Sequence, residues 1–434
     1  MSATLSRRRC CTRFAREVCT GRRCCHDGDL VSVSVARQRR ALRVALAATV
    51  VAVTALPVGG VLAWNQLLDS RASTAVAVEA LAIPETPAAL VAALGAGGQL
   101  SQLWVATLDA SGVGGTVVLL PIGAATEQAA TDSSTLSDSS APSSPAERLA
   151  DVYARDGLGA LANEVQGLLD VSFISVGALA RPELINVLAP LGGVDVLIDR
   201  PVVSVAVDGT PTQLAGAGEQ SFTVDRVVDI LIARRPNEKE SDRFTRHREV
   251  WNGITKRVGA GVEIAPEVDT TAAGLVDATN FMRRVMGGAV QVWQLSAAPV
   301  LDKTLNPKRV DMYSLDRAEV VMVFASVAPS ALSGADLSVS VMVDSPFNDP
   351  VVSRAAVARL LDAGIGVAVM REISAREQAE TLVSGDDEIV AAMTAALGSS
   401  LGSLQGSRWA APVSGVAAHI TLGAEFAELA RTNP

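Results

Sequence analysis

Cysteine is absent after residue 25 of this 434-residue chain, although five cysteines precede that point. Disulfide bonds therefore cannot hold the larger part of the protein together. In the short cysteine-rich tail, Cys10 and Cys11 lie near Cys24, Cys25 and His26 and leave a zinc site open as one alternative. The paired CxxC spacing of common zinc sites is missing, and the other interpretation is an unstructured, arginine-rich tail.

Lysine and aromatic residues are also scarce: the chain has four lysines, and aromatic residues make up 3%. Together with abundant alanine, valine and glycine, this composition indicates a GC-rich bacterial source such as an actinobacterium. The whole chain has a net charge of −9, and the part after residue 43 is the acidic part. Because phosphate backbones are bound by clustered cations, we expect no nucleic-acid partner.

Charged residues are missing from Val44 to Trp64, a run of 21 residues that is long enough to cross a bilayer as a helix. Residues 1–43 hold eleven arginines and three acidic residues, which gives this tail a net charge of +8. Because the whole chain has a net charge of −9, residues 44–434 carry −17. Positive residues stay cytoplasmic, and we therefore expect a cytoplasmic N-terminus and an extracytoplasmic bulk. A cleaved signal peptide is the alternative, and translation could also begin near Val31 or Val33.

The rest of the chain shows short strand and helix patterns. Residues 65–98 form a predicted stalk with a weak helix at Ala88–Leu94, and the fold is expected to begin near Gln99. Two β-rich runs around the glycine-rich 111–115 predict a hairpin, and the polar 126–145 is a predicted disordered loop. Helices are predicted at 158–169, 182–188, 224–231, 250–258 and 281–286, with strands at 172–177, 194–198 and 290–295.

The stretch 236–248 before the helix at 250–258 is rich in charge of both signs. Its arginines could form an anion-binding cluster with Arg234 and Arg235. The alternative is a solvated loop, because acidic residues are interleaved and could pair with them. Within it, His247 is interpreted as a surface residue rather than a general base, whereas His419, in an apolar strand, is interpreted as structural. Asp109 and Asp151 are weak candidates for magnesium ligands, and Tyr153 and Trp251 are assigned to the core.

Several segments resemble the LytR-CpsA-Psr family of cell-envelope proteins. RLADVYARDG at 148–157, LAPLGGVDVLI at 188–198 and ILIARRPNEKESDRFTRHREV at 230–250 are similar to three family motifs in the family's order. From residue 336, strand patterns at 337–343 and 366–370, helix patterns at 352–361 and 388–397, and ITLGAEF at 420–426 as a closing strand resemble the LytR C-terminal domain. The resemblance spans residues 99–426 and follows one expected membrane anchor.

The resemblance implies transfer of a glycopolymer phosphate from a polyprenyl-pyrophosphate carrier to peptidoglycan or a similar acceptor. It further implies that arginines and magnesium hold the pyrophosphate, and that an apolar groove holds the lipid. On the motif, the candidates for pyrophosphate binding are Arg235, Arg243 and Arg246, with His247 where glutamine is usual.

Other positions depart from the family pattern. Ala233 replaces the first arginine of an Arg-x-Arg pair, and Leu120–Ala124 lacks an expected Arg and Asp. Gln99 and Ser101 fall where an Arg and a metal-binding Asp are expected. Losing one preorganised charge from such a site costs on the order of 10² to 10³ in rate. The chain is therefore expected to be a degenerate member without strong transferase activity.

These inferences give an α/β protein, anchored in the membrane, with a mixed-sheet LytR-CpsA-Psr-like core and a small α/β C-terminal domain. The expected parts are a basic cytoplasmic tail (1–43), a transmembrane helix (44–64), a stalk (65–98), the core (99–331) and the C-terminal domain (336–426). We expect a cell-membrane, cell-wall protein whose partners are the lipid bilayer and a glycopolymer or polyprenyl pyrophosphate. No cofactor is expected, and magnesium enters only in the alternative, an active phosphotransferase. Transcriptional regulation, suggested by the family's historical name, conflicts with the outside location.

Overall fold

A computed structural model describes residues 81–126, 145–205, 209–235, 238–259, 268–269, 271–333, 339–409 and 412–432. The chain divides into two units, Met1–Ala77 and Val78–Pro434, and the described residues all belong to the second. The predicted tail and membrane span, residues 65–80 of the stalk and nearly all of the polar loop at 126–145 lie outside the described residues. Within the described ranges, no helix combines the length and apolarity needed to span a membrane.

A five-stranded mixed sheet forms the centre of the first part. Its strands are β1 (Ala88–Leu94), β2 (Leu100–Leu108), β3 (Gly115–Leu120), β4 (Ser175–Leu179) and β9 (Val290–Gln294). They lie in the order β4-β1-β2-β3-β9. Strands β1, β2 and β3 pair antiparallel, while β4 and β9 add parallel strands at the two edges.

The weak helix predicted at Ala88–Leu94 is wrong, because this segment is β1 and pairs with both β2 and β4. Ordered structure therefore starts before Gln99. Residues of β1 are buried in alternation against two apolar clusters, one on each face of the sheet. A strand buried on both faces shows a continuous apolar run without alternation, so its pattern cannot be told from that of a buried helix. The alanines favour helix locally, and pairing with two neighbours overrides that preference.

The predicted hairpin around 111–115 is confirmed by the antiparallel pairing of β2 and β3. Gly115 enters β3 with φ +142°, and a Cβ at this position would lie 1.9 Å from the carbonyl oxygen of Thr107. The hairpin therefore requires glycine at this point, as the glycine-rich sequence indicated.

Helices cover both faces of the first sheet. On one face lie α1 and α6; on the other lie α2, α3, α4 and α5. Their bounds are α1 (Leu149–Leu169), α2 (Arg181–Leu188), α3 (Val224–Ile232), α4 (Glu240–Gly259), α5 (Ala278–Met286) and α6 (Arg317–Val327). Each predicted helix lies within one of these, although α1 starts nine residues before its predicted first residue, with a kink at Gly157.

Three two-stranded ribbons lie outside the central sheet. They are β5 (Gly193–Ile198) with β8 (Gly218–Thr223), β6 (Val202–Val205) with β7 (Pro211–Ala215), and β10 (Ala297–Pro299) with β11 (Tyr313–Leu315). The strand predicted at 194–198 is therefore present, and it packs against α4 rather than joining the central sheet.

The C-terminal part holds a second five-stranded sheet in the order β13-β12-β16-β14-β15. Its elements are β12 (Ser340–Ser345), α7 (Pro350–Asp362), β13 (Gly366–Glu372), β14 (Thr381–Gly385), α8 (Asp387–Leu397), β15 (Leu404–Arg408), β16 (Ala418–Thr421) and α9 (Ala424–Thr432). The predicted β-α-β-α-β order is present, with β14 and β15 in addition. The closing strand predicted at 420–426 is wrong beyond Thr421, because β16 ends at that residue and α9 begins at Ala424. The mixed α/β class is confirmed.

One face of the second sheet packs its apolar side chains into the same core cluster that α1 and α6 share with the first sheet. Val341 and Val343 of β12 and Phe426 of α9 are fully buried there. The other face of the second sheet carries a much smaller cluster around Met342, Val369 and Val416. No helix of the described ranges contributes to this second cluster, and Ile83 and Val413 pack against it.

Candidate anion-binding site

The charged stretch at 236–248 does not form a solvated loop, because α4 begins at Glu240 within it. Arg243, Arg246 and His247 stand at helical spacing on the face of α4 that points inward. Arg243 is fully buried and His247 is 4% exposed, so the interpretation of His247 as a surface residue is wrong. Alternating charges suggested solvation, but partners on β2 and on the preceding loop satisfy these side chains inside the protein.

Arg243 ties α4 to strand β2. Its Nη2 donates to the carbonyl oxygen of Ser101 at 2.5 Å and to the Ser101 hydroxyl at 3.3 Å. Its Nη1 lies 3.5 Å from Oε2 of Glu240. Burial lowers the pKa of Arg243 to about 10, which leaves the side chain cationic at neutral pH. Arg243 therefore serves as an internal anchor.

His247 stays neutral at physiological pH. Burial, together with the nearby charges of Arg243 and Arg246, holds its pKa well below the ordinary 6.5. Its Nε2 lies 3.4 Å from Nη2 of Arg243, and the backbone of Leu231 also hydrogen-bonds to the ring. An uncharged imidazole that accepts from Arg243 tolerates this crowded cationic setting better than an imidazolium would.

Glu238 contacts the other two candidate arginines, Arg235 and Arg246. Arg246 donates from Nη1 to Oε1 of Glu238 at 3.0 Å and from Nη2 to the carbonyl oxygen of Ala233 at 2.7 Å. Arg235 contacts the same carboxylate through its backbone N–H at 3.0 Å and its Nη2 at 3.4 Å. Burial raises the pKa of Glu238, but the hydrogen bond and charge of Arg246 outweigh burial and leave the pKa below its ordinary value. An anion that approached these arginines would have to compete with Glu238.

Two acidic residues at the start of α4, Glu240 and Asp311, also accept hydrogen bonds from groups of the protein. Glu240 accepts from the backbone N–H of Ile122 at 3.4 Å, and burial raises the pKa of its carboxyl group. Asp311 accepts from the backbone N–H of Glu240 at 2.6 Å and from the Tyr313 hydroxyl at 2.8 Å. This carboxylate therefore caps the helix N-terminus, where the backbone N–H groups have no partners within the helix. Asp311 and Tyr313 are not among the predicted site residues, because they follow Glu240 by more than 70 residues and carry no local signal.

The predicted metal ligands do not come together. Asp109 is exposed at the start of the β2–β3 turn, while Asp151 accepts two hydrogen bonds from Arg148 at 2.7 and 2.8 Å. At the position where the family pattern expects an Asp, the Ser101 hydroxyl donates to the carbonyl oxygen of Ile232 at 2.6 Å. No three His, Cys, Asp or Glu residues of the described ranges cluster as a metal site would require. The donor set around α4 therefore does not fit magnesium.

An open cleft of about 610 Å³ lies beside this network, and it is called the basic cleft below. Three cationic side chains that line it, Arg234, Lys239 and Arg309, make no hydrogen bond or ion pair with the residues that the structure describes. Apolar side chains, among them Leu301 at 83% exposure, form another part of its wall. The cleft is lined by Arg148, Arg234, Glu238, Lys239, Pro299, Val300, Leu301, Asn306, Arg309, Val310, Asp311 and Met312.

The two acids of the basic cleft are already bonded internally, Glu238 to arginines and Asp311 to the start of α4. The cleft therefore offers three cationic side chains that have no hydrogen-bond or ion-pair partner among the described residues, next to exposed apolar surface. Such a combination suits an amphiphilic anion, because the cations attract the head group while the apolar wall covers part of the tail. Of the predicted candidates, Arg243 and His247 are buried in internal contacts, whereas Arg235 and Arg246 contact Glu238 and line a separate pocket of about 170 Å³, in which the Arg235 side chain is half exposed.

No protein-family model and no curated protein matches the sequence. Among solved structures, B. subtilis TagV is 13% identical over 55% of this chain and 94% of its own, with a TM-score of 0.35. TagT bound to LIIa-WTA is 13% identical over 55% and 88%, with a TM-score of 0.37. A transcriptional regulator from Enterococcus faecalis is 16% identical over 64% and 88%, with a TM-score of 0.35. These likenesses are distant and say nothing about activity. On its motifs, the chain resembles the LytR-CpsA-Psr family, and TagV and TagT are among the solved structures to which it is distantly similar.

Proposed function

We propose that this chain is a cell-envelope protein whose basic cleft binds the phosphate head of a polyprenyl-linked glycopolymer or its lipid carrier without transferring it. One observation carries the proposal: Arg234, Lys239 and Arg309 line an open cleft, and their side chains make no hydrogen bond or ion pair with the part of the chain that the structure describes. The motif resemblance supplies the chemical class, a polyprenyl pyrophosphate. Cationic side chains next to apolar surface match such a ligand, which joins a charged head to a hydrocarbon tail.

Binding without transfer is favoured by the way the remaining charged groups are used. The arginines that the resemblance selects donate to protein oxygens, with Arg243 on Ser101 and Arg246 on Glu238 and Ala233. Phosphoryl transfer requires charges preorganised on the transferred group, and these would first have to leave their internal partners. The described carboxylates likewise do not assemble a magnesium site. An active phosphotransferase is therefore the alternative that the experiment has to distinguish.

The proposed location is the outer side of the cell membrane, with the N-terminus inside. Support comes from the uncharged run Val44–Trp64 and the arginine-rich residues before it. Anchoring would hold the cleft near the bilayer that contains the lipid carrier, and so raise the effective concentration of the ligand.

The test uses full-length protein purified in detergent and geranylgeranyl pyrophosphate as the probe, titrated by calorimetry with and without magnesium. We expect wild-type binding without a requirement for magnesium, and at least a tenfold weaker Kd for the double variant Arg234→Ala, Lys239→Ala, because two charge-assisted contacts are lost. The matched control is Lys256→Ala, which removes a cation from the exposed far end of α4 and should bind like wild type. Equal binding by the double variant would overturn the cleft as the site.

Transfer is tested separately with a lipid-linked glycan and peptidoglycan as acceptor. No glycan transfer beyond that of a protein-free control is expected. Magnesium-dependent transfer that the double variant loses would support the phosphotransferase instead and would refute binding without transfer.

A further inference from the structure

The second sheet carries a cluster of polar side chains on the face opposite to the one that the described helices cover. Strand side chains alternate between faces, and in β12 Val341 and Val343 enter the main core. Met342 belongs to the small cluster on the opposite face, so Asp344 points to that same face. Arg371 of β13 follows Val369, which is also in the small cluster, by two residues. These residues lie at the carboxyl ends of parallel strands, an edge where α/β sheets commonly bind ligands.

Asp344 is the centre of the cluster. Its side chain is 6% exposed, and it accepts from Arg371 at 2.7 Å (Nε) and 2.8 Å (Nη2). Oδ2 also lies 2.9 Å from Nε2 of His419 on β16. Burial raises the pKa of Asp344, but the hydrogen bonds from His419 and Arg371 outweigh it and leave the pKa below its ordinary value. A buried carboxylate thus fixes the orientation of two side chains that reach the surface.

The outer atoms of both side chains remain available. Arg371 is 49% exposed and His419 is 20% exposed, and neither Nη1 of Arg371 nor Nδ1 of His419 has a partner among the described residues. The contact with Asp344 occupies Nε2 of His419, so Nδ1 is the ring nitrogen that a ligand can reach, and it accepts a hydrogen bond when it carries no proton and donates one when it does. The arginine presents only donors. Two polar groups of different chemistry therefore stand side by side, both held by one carboxylate.

An aromatic ring completes the cluster. The indole of Trp409 lies near the His419 ring, with centroids 6.4 Å apart and an angle of 30° between the planes. Trp409 follows β15, and it is partly exposed. Beside it, the hydroxyls of Ser384 and Ser407 bond to each other at 2.7 Å. The surface formed by Asp344, Arg371, Trp409 and His419 is called the Trp409 face.

We propose that the Trp409 face binds a pyranose sugar of a glycan chain. Sugar rings offer C–H groups that pack on an indole and adjacent hydroxyls that both donate and accept. Arg371 would donate to one hydroxyl oxygen, and Nδ1 of His419 would hydrogen-bond to the neighbouring hydroxyl, which can both donate and accept. A phosphate or carboxylate is a poorer match, because Asp344 offsets the positive charge of Arg371.

This inference does not rest on the basic cleft, which lies in the first part of the fold. The test uses full-length protein in detergent and four soluble probes, the β-1,4-linked tetrasaccharides of N-acetylglucosamine, glucose, mannose and galactose, titrated by calorimetry. We expect at least one of them to bind, and Trp409→Ala to weaken that binding about tenfold because the stacking surface is lost. Trp409→Phe should retain most of the affinity, since it keeps an aromatic face.

Two further variants separate the site from general damage to the fold. Arg371→Lys loses the bidentate contact with Asp344 and should weaken binding, whereas Arg408→Ala removes a neighbouring exposed arginine of β15 and should bind like wild type. Thermal unfolding checks that each variant is folded, and Arg234→Ala, Lys239→Ala should leave sugar binding unchanged. The proposal is overturned if none of the four sugars binds, if Trp409→Ala binds as wild type does, or if inorganic phosphate binds and displaces the sugar.

Discussion

Arg246 and Glu238 form a nearly buried ion pair, with Nη1 of the arginine 3.0 Å from Oε1 of the carboxylate and side-chain exposures of 10% and 3%. The same carboxylate also contacts Arg235. One carboxylate thus contacts two of the arginines that the family resemblance implies as pyrophosphate ligands, and its single negative charge offsets one of their two positive charges. A buried pair of this kind is costly to break, because each separated charge loses both its partner and its hydration.

Replacing Glu238 by glutamine should strengthen anion binding. Glu238→Gln removes a negative charge that lines the basic cleft and frees Arg246 and Arg235 to face a ligand. We expect about a tenfold lower Kd for geranylgeranyl pyrophosphate, equivalent to about 1.4 kcal/mol. Calorimetry measures the change, and Glu249→Gln, on α4 and outside the lining of the cleft, is the control. An unchanged Kd for Glu238→Gln would show that this carboxylate does not limit access to the arginines.

Removing Arg243 should destabilise the protein rather than act only on ligand binding. Arg243→Ala leaves the buried Glu240 without its counter-charge and the carbonyl oxygen of Ser101 without its donor. The free energy of unfolding should fall by about 3 kcal/mol. Urea denaturation measures it, with Arg248→Ala, a substitution of a half-exposed arginine on the same helix, expected to stay within about 0.5 kcal/mol of wild type. A loss below 1 kcal/mol for Arg243→Ala would contradict the anchoring role.

His247 should make stability fall in mild acid. Its pKa lies near 6.5 in the unfolded chain and well below that in the folded protein, so the unfolded chain takes up the proton first. Stability is therefore complete above pH 6.5 and decreases as the pH drops, by about 1.4 kcal/mol per pH unit until the folded-state pKa is reached. His247→Gln should abolish this part of the pH dependence, whereas His419→Gln should retain it. Urea denaturation at pH 7.5 and 5.5 measures both, and an equal pH effect in wild type and His247→Gln would contradict a buried neutral imidazole.

Asp344 should stabilise the folded protein at neutral pH and lose this effect in strong acid. Its lowered folded-state pKa means that the contribution is present above the unfolded value of 3.8 and is lost as the pH falls through the folded value. Asp344→Asn should therefore lower the free energy of unfolding by about 2 kcal/mol at pH 7. The gap between variant and wild type should narrow in thermal unfolding below pH 3.8. A gap that stays constant with pH would show that packing, rather than charge, is responsible.

Local patterns predicted the helices correctly where an apolar stripe faced the core. The helices at 224–231 and 281–286 lie within α3 and α5, whose buried valine, leucine, phenylalanine and methionine residues repeat at helical spacing. The same method failed for β1, since Ala88–Leu94 is apolar throughout and therefore has no periodicity. It also failed for His247, because nothing in its neighbourhood in sequence shows that β2 lies against α4.

The sequence by itself determined the mixed α/β class, the β2–β3 hairpin and the succession of helices and strands, since each depends on residues close together in the chain. Only the tertiary structure decided which charges are free. Ser101, Glu238 and Asp311 come from three separate segments and occupy the start of α4 and its arginines, while Arg234, Lys239 and Arg309 are left facing the basic cleft. Whether a charged side chain binds a ligand or supports the fold depends on which oppositely charged or hydrogen-bonding groups reach it, and those groups are distant in sequence.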